Sequence, residues 1–288
     1  VKTVVIYYFS GTGNTEIVAN MFKEEFPKHE YKVDMIKIED VLKNNLLIDI
    51  NKYDLIGIGS QVIGYGAPSI VHKFIQRLPE VEDKKIFIFR TAGGVAPINY
   101  NVSKSIIRIL RKKGYDVFYE RVFSIGSNWI VKFSNNVVKE LYEATRKKVS
   151  IMCKEIISDE KRILKTSLWL KILMEFVAFI SRPCFNLLGK DLSVNKSCEN
   201  CGLCIKNCPA QNIYEKEGKI KFKLSCNCCM RCIYSCPKNA VNFRVLKFFA
   251  VPGGYNIRKT LEEDYDSSGE KNEDIPAFFY NYINNDKV

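Results

Sequence analysis

Thr3-Val4-Val5-Ile6-Tyr7-Tyr8-Phe9-Ser10-Gly11-Thr12-Gly13-Asn14-Thr15 is the stretch on which the fold turns. A β-branched and aromatic run, Thr3 to Phe9, ends in a glycine turn and reads as a buried strand. From Thr15 to Phe26 the apolar Ile17, Val18, Met21, Phe22 and Phe26 share one face of a helix. The alternation continues, with strands expected at Tyr31 to Lys37, Tyr53 to Gly59, Lys85 to Thr91 and Tyr115 to Ser124. A helix from Ser134 to Ile157 follows the last strand. Five strands separated by helices predict an α/β domain over residues 1–158, a doubly wound five-stranded parallel sheet.

The turn itself carries chemistry. Ser10, Gly11, Thr12, Gly13, Asn14 and Thr15 bring amide N–H groups and hydroxyls to a helix N-terminus, which favours a phosphate dianion. The spacing is not the G-x-G-x-x-G of a dinucleotide site, and Glu16 follows Thr15 where a nucleotide-hydrolase loop differs, so a terminal monophosphate fits best. No nicotinamide-binding motif is present, so direct use of NAD(P)H is not expected. Capping and turn formation alone explain such a loop nearly as often; its place after strand one favours binding.

A second pattern lies far downstream. Cys198, Cys201, Cys204, Cys208 and Pro209 recur 28 residues later as Cys226, Cys229, Cys232, Cys236 and Pro237. Three thiolates two residues apart reach three irons of a cubane, and the fourth iron takes its ligand from the other half. One set is therefore Cys198, Cys201, Cys204 and Cys236; the other is Cys226, Cys229, Cys232 and Cys208. A structural zinc site needs paired ligands and gains nothing from a third cysteine and a Cys-Pro. Cys153, Cys184 and Cys228 are left over and read as spectators, the alternative being that Cys228, inside the second run, competes for a cluster.

These motifs carry two resemblances. Ser10 to Thr15 after the first strand resembles the flavodoxins over residues 1–158, which implies FMN. That likeness places the flavin ring between Val62-Ile63-Gly64-Tyr65 and Thr91-Ala92-Gly93-Gly94, at the carboxyl ends of strands. Gly64 matches the family glycine whose peptide flips to meet the reduced flavin. Ile63 stands where many members have an aromatic, leaving Tyr65 or Trp129 to stack on the ring. The cysteine repeat resembles the bacterial two-cluster 4Fe-4S ferredoxins over residues 191–245, which implies a small α+β domain and two 4Fe-4S clusters. Together the halves resemble the ferredoxin-flavodoxin fusion proteins of anaerobes, the ferrodoxin family. The function so implied is electron transfer between clusters and FMN, linking a low-potential carrier to a partner or a small-molecule acceptor. The alternative is a flavin-dependent reductase with a substrate pocket near Asn128 and Trp129.

Residues 159–190 read as a helical connector packed between domains. Lys165, Lys171, Glu175 and Arg182 interrupt this apolar segment too often for a membrane span, while basic residues flanking Trp169, Phe176 and Phe179 keep membrane contact through 163–188 in play. The tail, 246–288, reads as a partly acidic mobile stretch with an aromatic anchor at Phe278, Phe279, Tyr280 and Tyr282. His29 and His72 read as solvated.

The formal charge of +12 includes +5 over residues 191–245. Two loaded clusters and a flavin phosphate, at roughly −2 each, would leave about +6, which weakens any case for nucleic acid. The basic cysteine segment suits an acidic redox partner such as a ferredoxin or a flavoenzyme. Eight of the eleven cysteines stand at ligand spacing rather than in a disulfide framework, which with no signal-peptide pattern points to a reducing, cytoplasmic setting.

Overall fold

The computed structural model describes residues 1–263 and 275–286. The strands β1 (Lys2–Phe9), β2 (Tyr31–Lys37), β3 (Leu55–Gln61), β4 (Lys84–Ala92) and β5 (Tyr115–Ser124) form one parallel sheet in the order β2-β1-β3-β4-β5. This is the expected flavodoxin-like topology, with a crevice at the carboxyl ends of the strands where the order reverses. The strands read as nearly continuous apolar runs because helices cover both faces. On one face α1 (Asn14–Glu25) and α5 (Asn135–Ile157) bury Val4, Ile6 and Tyr8 with Phe22, Phe89 and Met152. On the other, α2 (Ile38–Lys43), α3 (Ser69–Arg77) and α4 (Lys104–Lys112) bury Val5, Tyr7 and Phe9 with Phe74 and Leu110.

Beneath the crevice lies a charged group in the core. Arg90 is buried at the end of β4, where its guanidinium donates to Ser60 Oγ and, at 3.2 Å, to Ser103 Oγ. Desolvation pulls Arg90 down to about 10 while Glu120 opposes that shift. His72 is not solvated as expected. Its ring lies 3.0 Å from Ser105 Oγ and 3.3 Å from Pro68 O, tying α3 to α4. His29 is half-buried, 3.8 Å from Glu25.

The connector differs most from expectation. It forms α6 (Leu168–Asp191), long and apolar enough by length and composition to cross a membrane, with a mean hydropathy of 1.4 over its most apolar stretch. Only 12% of that stretch is buried, so the expected packing between domains holds along one side alone.

The cysteine segment builds two copies of one unit. The first is β6 (Leu192–Val194), α7 (Leu203–Lys206) and β7 (Ile213–Lys216); the second is β8 (Lys219–Phe222), α8 (Arg231–Tyr234) and β9 (Val241–Phe243). The strands pair antiparallel as β6 with β9 and β7 with β8, so each copy is completed by the other. A small core of Ile213, Ile220, Phe222, Ile233 and Phe243 sits between them.

In the tail, α9 (Ile257–Glu262) packs Ile257 on the α1 side of the sheet. The acidic stretch 264–274 lies outside the described residues. Beyond it, α10 (Ala277–Asn284) anchors Phe279 and Tyr282 against Val137 and Leu141, while Tyr280 faces solvent. Of the leftover cysteines, Cys153 is buried in the core, Cys184 is exposed on α6, and Cys228 is buried 3.3 Å from Phe185 O.

Candidate cofactor sites and the contact between them

At the carboxyl ends of β1, β3, β4 and β5 the structure opens a cavity of about 140 Å3. Thr12, Asn14, Val62, Ile63, Gly64, Thr91, Ala92 and Gly93 line it, joined by Gln61 and the segment Gly126, Ser127, Asn128 and Trp129. The other residues expected there stand differently. Gly11 N donates to Gln61 Oε1 at 2.6 Å, Gly13 N donates to Ser10 Oγ at 3.2 Å, and the buried Thr15 hydroxyl meets Thr91 Oγ1 at 2.7 Å. These bonds shape the loop from within. Gly94 is buried and its carbonyl accepts from Asn99, while Tyr65 belongs to a separate groove beside α6. Of the two stacking candidates only Trp129 lines the cavity.

The residues fit a flavin mononucleotide. The first intrahelical bond of α1 runs from Ile17 N to Gly13 O, so the N–H groups of Asn14, Thr15 and Glu16 have no partner within the helix and suit an anion. Gly13, at φ 106, supplies the left-handed turn that points them there. The cavity spans the loops that would hold phosphate and ring, at the carboxyl ends of the strands. Two side chains from afar close its phosphate end: Asn128 Nδ2 donates to Thr12 Oγ1 at 2.8 Å, and Tyr255 OH donates to Asn14 Oδ1 at 2.7 Å. The loop at Gly64 is walled by α6. Ser181 Oγ donates to Gly64 O at 3.1 Å, and Phe185 stands edge-on to Trp129 with ring centroids 5.6 Å apart.

Gly64 has φ +53, and a Cβ there would strike the Phe185 ring. A Gly64→Ala variant should therefore lose about 1–2 kcal/mol from backbone strain and more from the ring contact. Flavin fluorescence titration should show weaker binding, with Gly64→Ala/Phe185→Ala recovering only the steric part. Equal binding by Gly64→Ala and the parent would refute the argument.

A second, much smaller cavity of about 20 Å3 lies in the cysteine segment and is lined by Cys208, Cys226, Cys228, Cys229 and Cys232 with Leu192, Met230 and Phe243. Four of these five belong to one set expected from the spacing, and the fifth, Cys228, is one of the leftover cysteines. Cys204 neighbours Cys198 and Cys236, and burial together with those two sulfurs raises its thiol; Cys201, the remaining member of that set, is exposed. Backbone N–H groups point at sulfur in both repeats, from Asn212 to Cys208 at 3.2 Å and from Ala240 to Cys236 at 3.3 Å. Burial pushes the Cys229 thiol up to about 12, opposed by the adjacent Arg231. Among the described residues no three His, Cys, Asp or Glu side chains converge on one point as ligands of a single ion. The void is apolar apart from its five thiols, and the Asn212 and Cys228 N–H groups point at the Cys208 and Cys226 sulfurs beside it.

The two sites meet. Arg231 reaches from the second cysteine loop to Ser10 O at 2.6 Å and Gly11 O at 3.2 Å, and pairs with the buried Glu39 at 2.6 Å. A Cβ on Gly11 would run into Cys229 O, so only glycine lets the loops approach this closely. Asn227 Oδ1 accepts from Ser69 Oγ at 2.6 Å and from Ile70 N at 3.2 Å, holding the same loop to the start of α3. Burial lowers the Arg231 guanidinium and Glu39 with the nearby thiols raises it, for a net upward shift. Arg231, Asn227, Phe185 and Tyr255 carry no local sequence signal for these roles.

Residues 5–119 match a family described as a flavodoxin domain. Similar solved structures include oxidised Flavodoxin 2 from Bacillus cereus, at 20% identity over 55% of this chain and 99% of that one, with a TM-score of 0.40. Two-electron reduced Megasphaera elsdenii flavodoxin is similar at 25% identity over 50% of this chain and 98% of that one, TM-score 0.35. A putative quinone reductase from Klebsiella pneumoniae is similar at 11% identity over 56% of this chain and 87% of that one, TM-score 0.40. No curated protein matches the chain.

Proposed function

We propose, starting from an N-terminal half that is a flavodoxin-like domain, that the chain transfers electrons between two 4Fe-4S clusters held by its C-terminal cysteines and an FMN held in the crevice. The observation that carries this reading is the contact of the second cysteine loop with the phosphate loop, through Arg231 and Cys229 against Ser10 and Gly11. When bound, the clusters supply one-electron chemistry and the flavin one- or two-electron chemistry. The chain's own residues, Arg231 and Asn227 above all, hold the two sites together.

In this reading Cys208, Cys226, Cys229 and Cys232 ligate the inner cluster, and Cys198, Cys201, Cys204 and Cys236 the outer one. An acidic redox protein, such as a ferredoxin or a flavoenzyme, has a docking place beside β6 and β8, where Lys190, Lys219, Lys221 and Arg244 line an open groove. The setting proposed is the cytoplasm. The reductase reading keeps one supporting observation, the placement of Asn128 and Trp129 on the wall of the flavin cavity.

Anaerobic purification followed by iron, sulfide and flavin analysis tests the reading. Two clusters and one FMN per chain are the expected result. Zinc without sulfide, or a chain that takes up no FMN, refutes it. A screen of small acceptors against the reduced protein then separates carrier from reductase, because a reductase turns over at least one of them without a partner protein.

A further inference from the structure

The helix α6 spans about 36 Å at 1.5 Å per residue. One side is pinned: Met174 is buried, Ser181 bonds Gly64 O at 3.1 Å, and Asn101 Nδ2 donates to Lys171 O at 3.3 Å. The other side is bare. Trp169, Ile172, Leu173, Phe176, Phe179 and Leu187 repeat at helical spacing and are each more than half exposed, Trp169 at 84% and Phe179 at 74%. An apolar stripe this long on a free surface marks a docking site, since scattered single residues would not line up along one helix.

Charge and connectivity select the occupant. Lys165 precedes the helix and Lys190 closes it, both exposed, and Arg108 of α4 stands 3.6 Å from Glu175 at its side. With a formal charge of +12, a second copy brings cation against cation, whereas an anionic lipid surface attracts the whole molecule. Crossing the bilayer is excluded by the contacts on either side of the helix. Glu39 and Ser69 precede α6, and they bond Arg231 and Asn227, which follow it. A spanning helix would hold those partners on opposite sides of about 30 Å of hydrocarbon.

We propose that α6 lies flat in the headgroup layer of an anionic membrane, its stripe inserted and both cofactor cavities held beside the lipid surface. The geometry is that of an interfacial helix with one apolar face bare and exposed lysines, Lys165 and Lys190, at its two ends. This inference is independent of the cofactors, since it rests on the exposed face of α6 alone.

Flotation of the full chain with phosphatidylcholine vesicles containing phosphatidylglycerol tests it. The chain should float with these vesicles at low salt, float less with phosphatidylcholine alone, and show a blue shift of Trp169 emission that Trp169→Phe removes. Phe176→Glu/Phe179→Glu, two exposed positions in a helix that accepts glutamate, should lower partitioning roughly 100-fold or more with unchanged thermal stability. The proposal is overturned if the parent chain fails to float or if the double variant floats as well as the parent. Light scattering that finds a dimer dissolved by the double variant, without vesicle binding, assigns the stripe to a second copy and also overturns it.

Discussion

Cys232→Ala is expected to remove the inner iron and to slow flavin reduction by a one-electron donor more than Cys204→Ala does. Cys232 belongs to the cavity it shares with Cys208, Cys226 and Cys229, and Cys229 is the residue whose backbone abuts Gly11 of the phosphate loop. Cys204 belongs to the set around Cys198 and Cys236, in the first cysteine loop. A barrier higher by about 1.4 kcal/mol already slows a step roughly tenfold, and that is the least expected of Cys232→Ala. Iron analysis and stopped-flow flavin absorbance are the measurements. If both variants reduce flavin at the parent rate, the two halves do not form a circuit. If Cys204→Ala is the slower one, the order of the two sites is reversed.

Arg231→Met should separate the halves. The guanidinium fork serves Ser10 O, Gly11 O, Asn207 O and Glu39 at once, a geometry that lysine cannot reproduce. Removing it leaves Glu39 as a buried carboxylate without its cation, and breaking such a pair costs about 3–5 kcal/mol. Thermal unfolding should shift down and limited proteolysis should cut between the halves. Arg231→Met/Glu39→Gln removes the stranded charge and should recover part of the loss. Equal stability of the single and double variants would show that the ion pair does not hold the contact.

The parts of the site that were legible share one property: their chemistry is local. Ser10 to Thr15 is a turn between a strand and a helix, and its anion-binding N–H groups follow from helix geometry within a few residues. The cysteine spacing is also local, whereas the pairing of β6 with β9 and of β7 with β8 is not read from it. Contacts between distant segments leave no such pattern. Nothing near Tyr255 announces a hydroxyl bonded to Asn14, and nothing near His72 announces Ser105 as its partner. Tyr65 illustrates the same limit. It adjoins Gly64 in sequence, yet at φ 58 it turns into the groove beside α6, while Trp129 arrives at the cavity from the loop after β5.

The sequence by itself determined the alternation of strands and helices, the phosphate-type loop and the repeated spacing of the cysteines, because periodicity and spacing act over one turn or one strand. Only the tertiary structure decided that the second cysteine loop, and not the first, rests on the phosphate loop. It likewise decided that α6 covers Gly64 on one side and leaves an apolar stripe bare on the other. Those outcomes depend on which surfaces become complementary after the chain has folded back over some 200 residues, as from Gly11 to Arg231, and no window of sequence contains both partners.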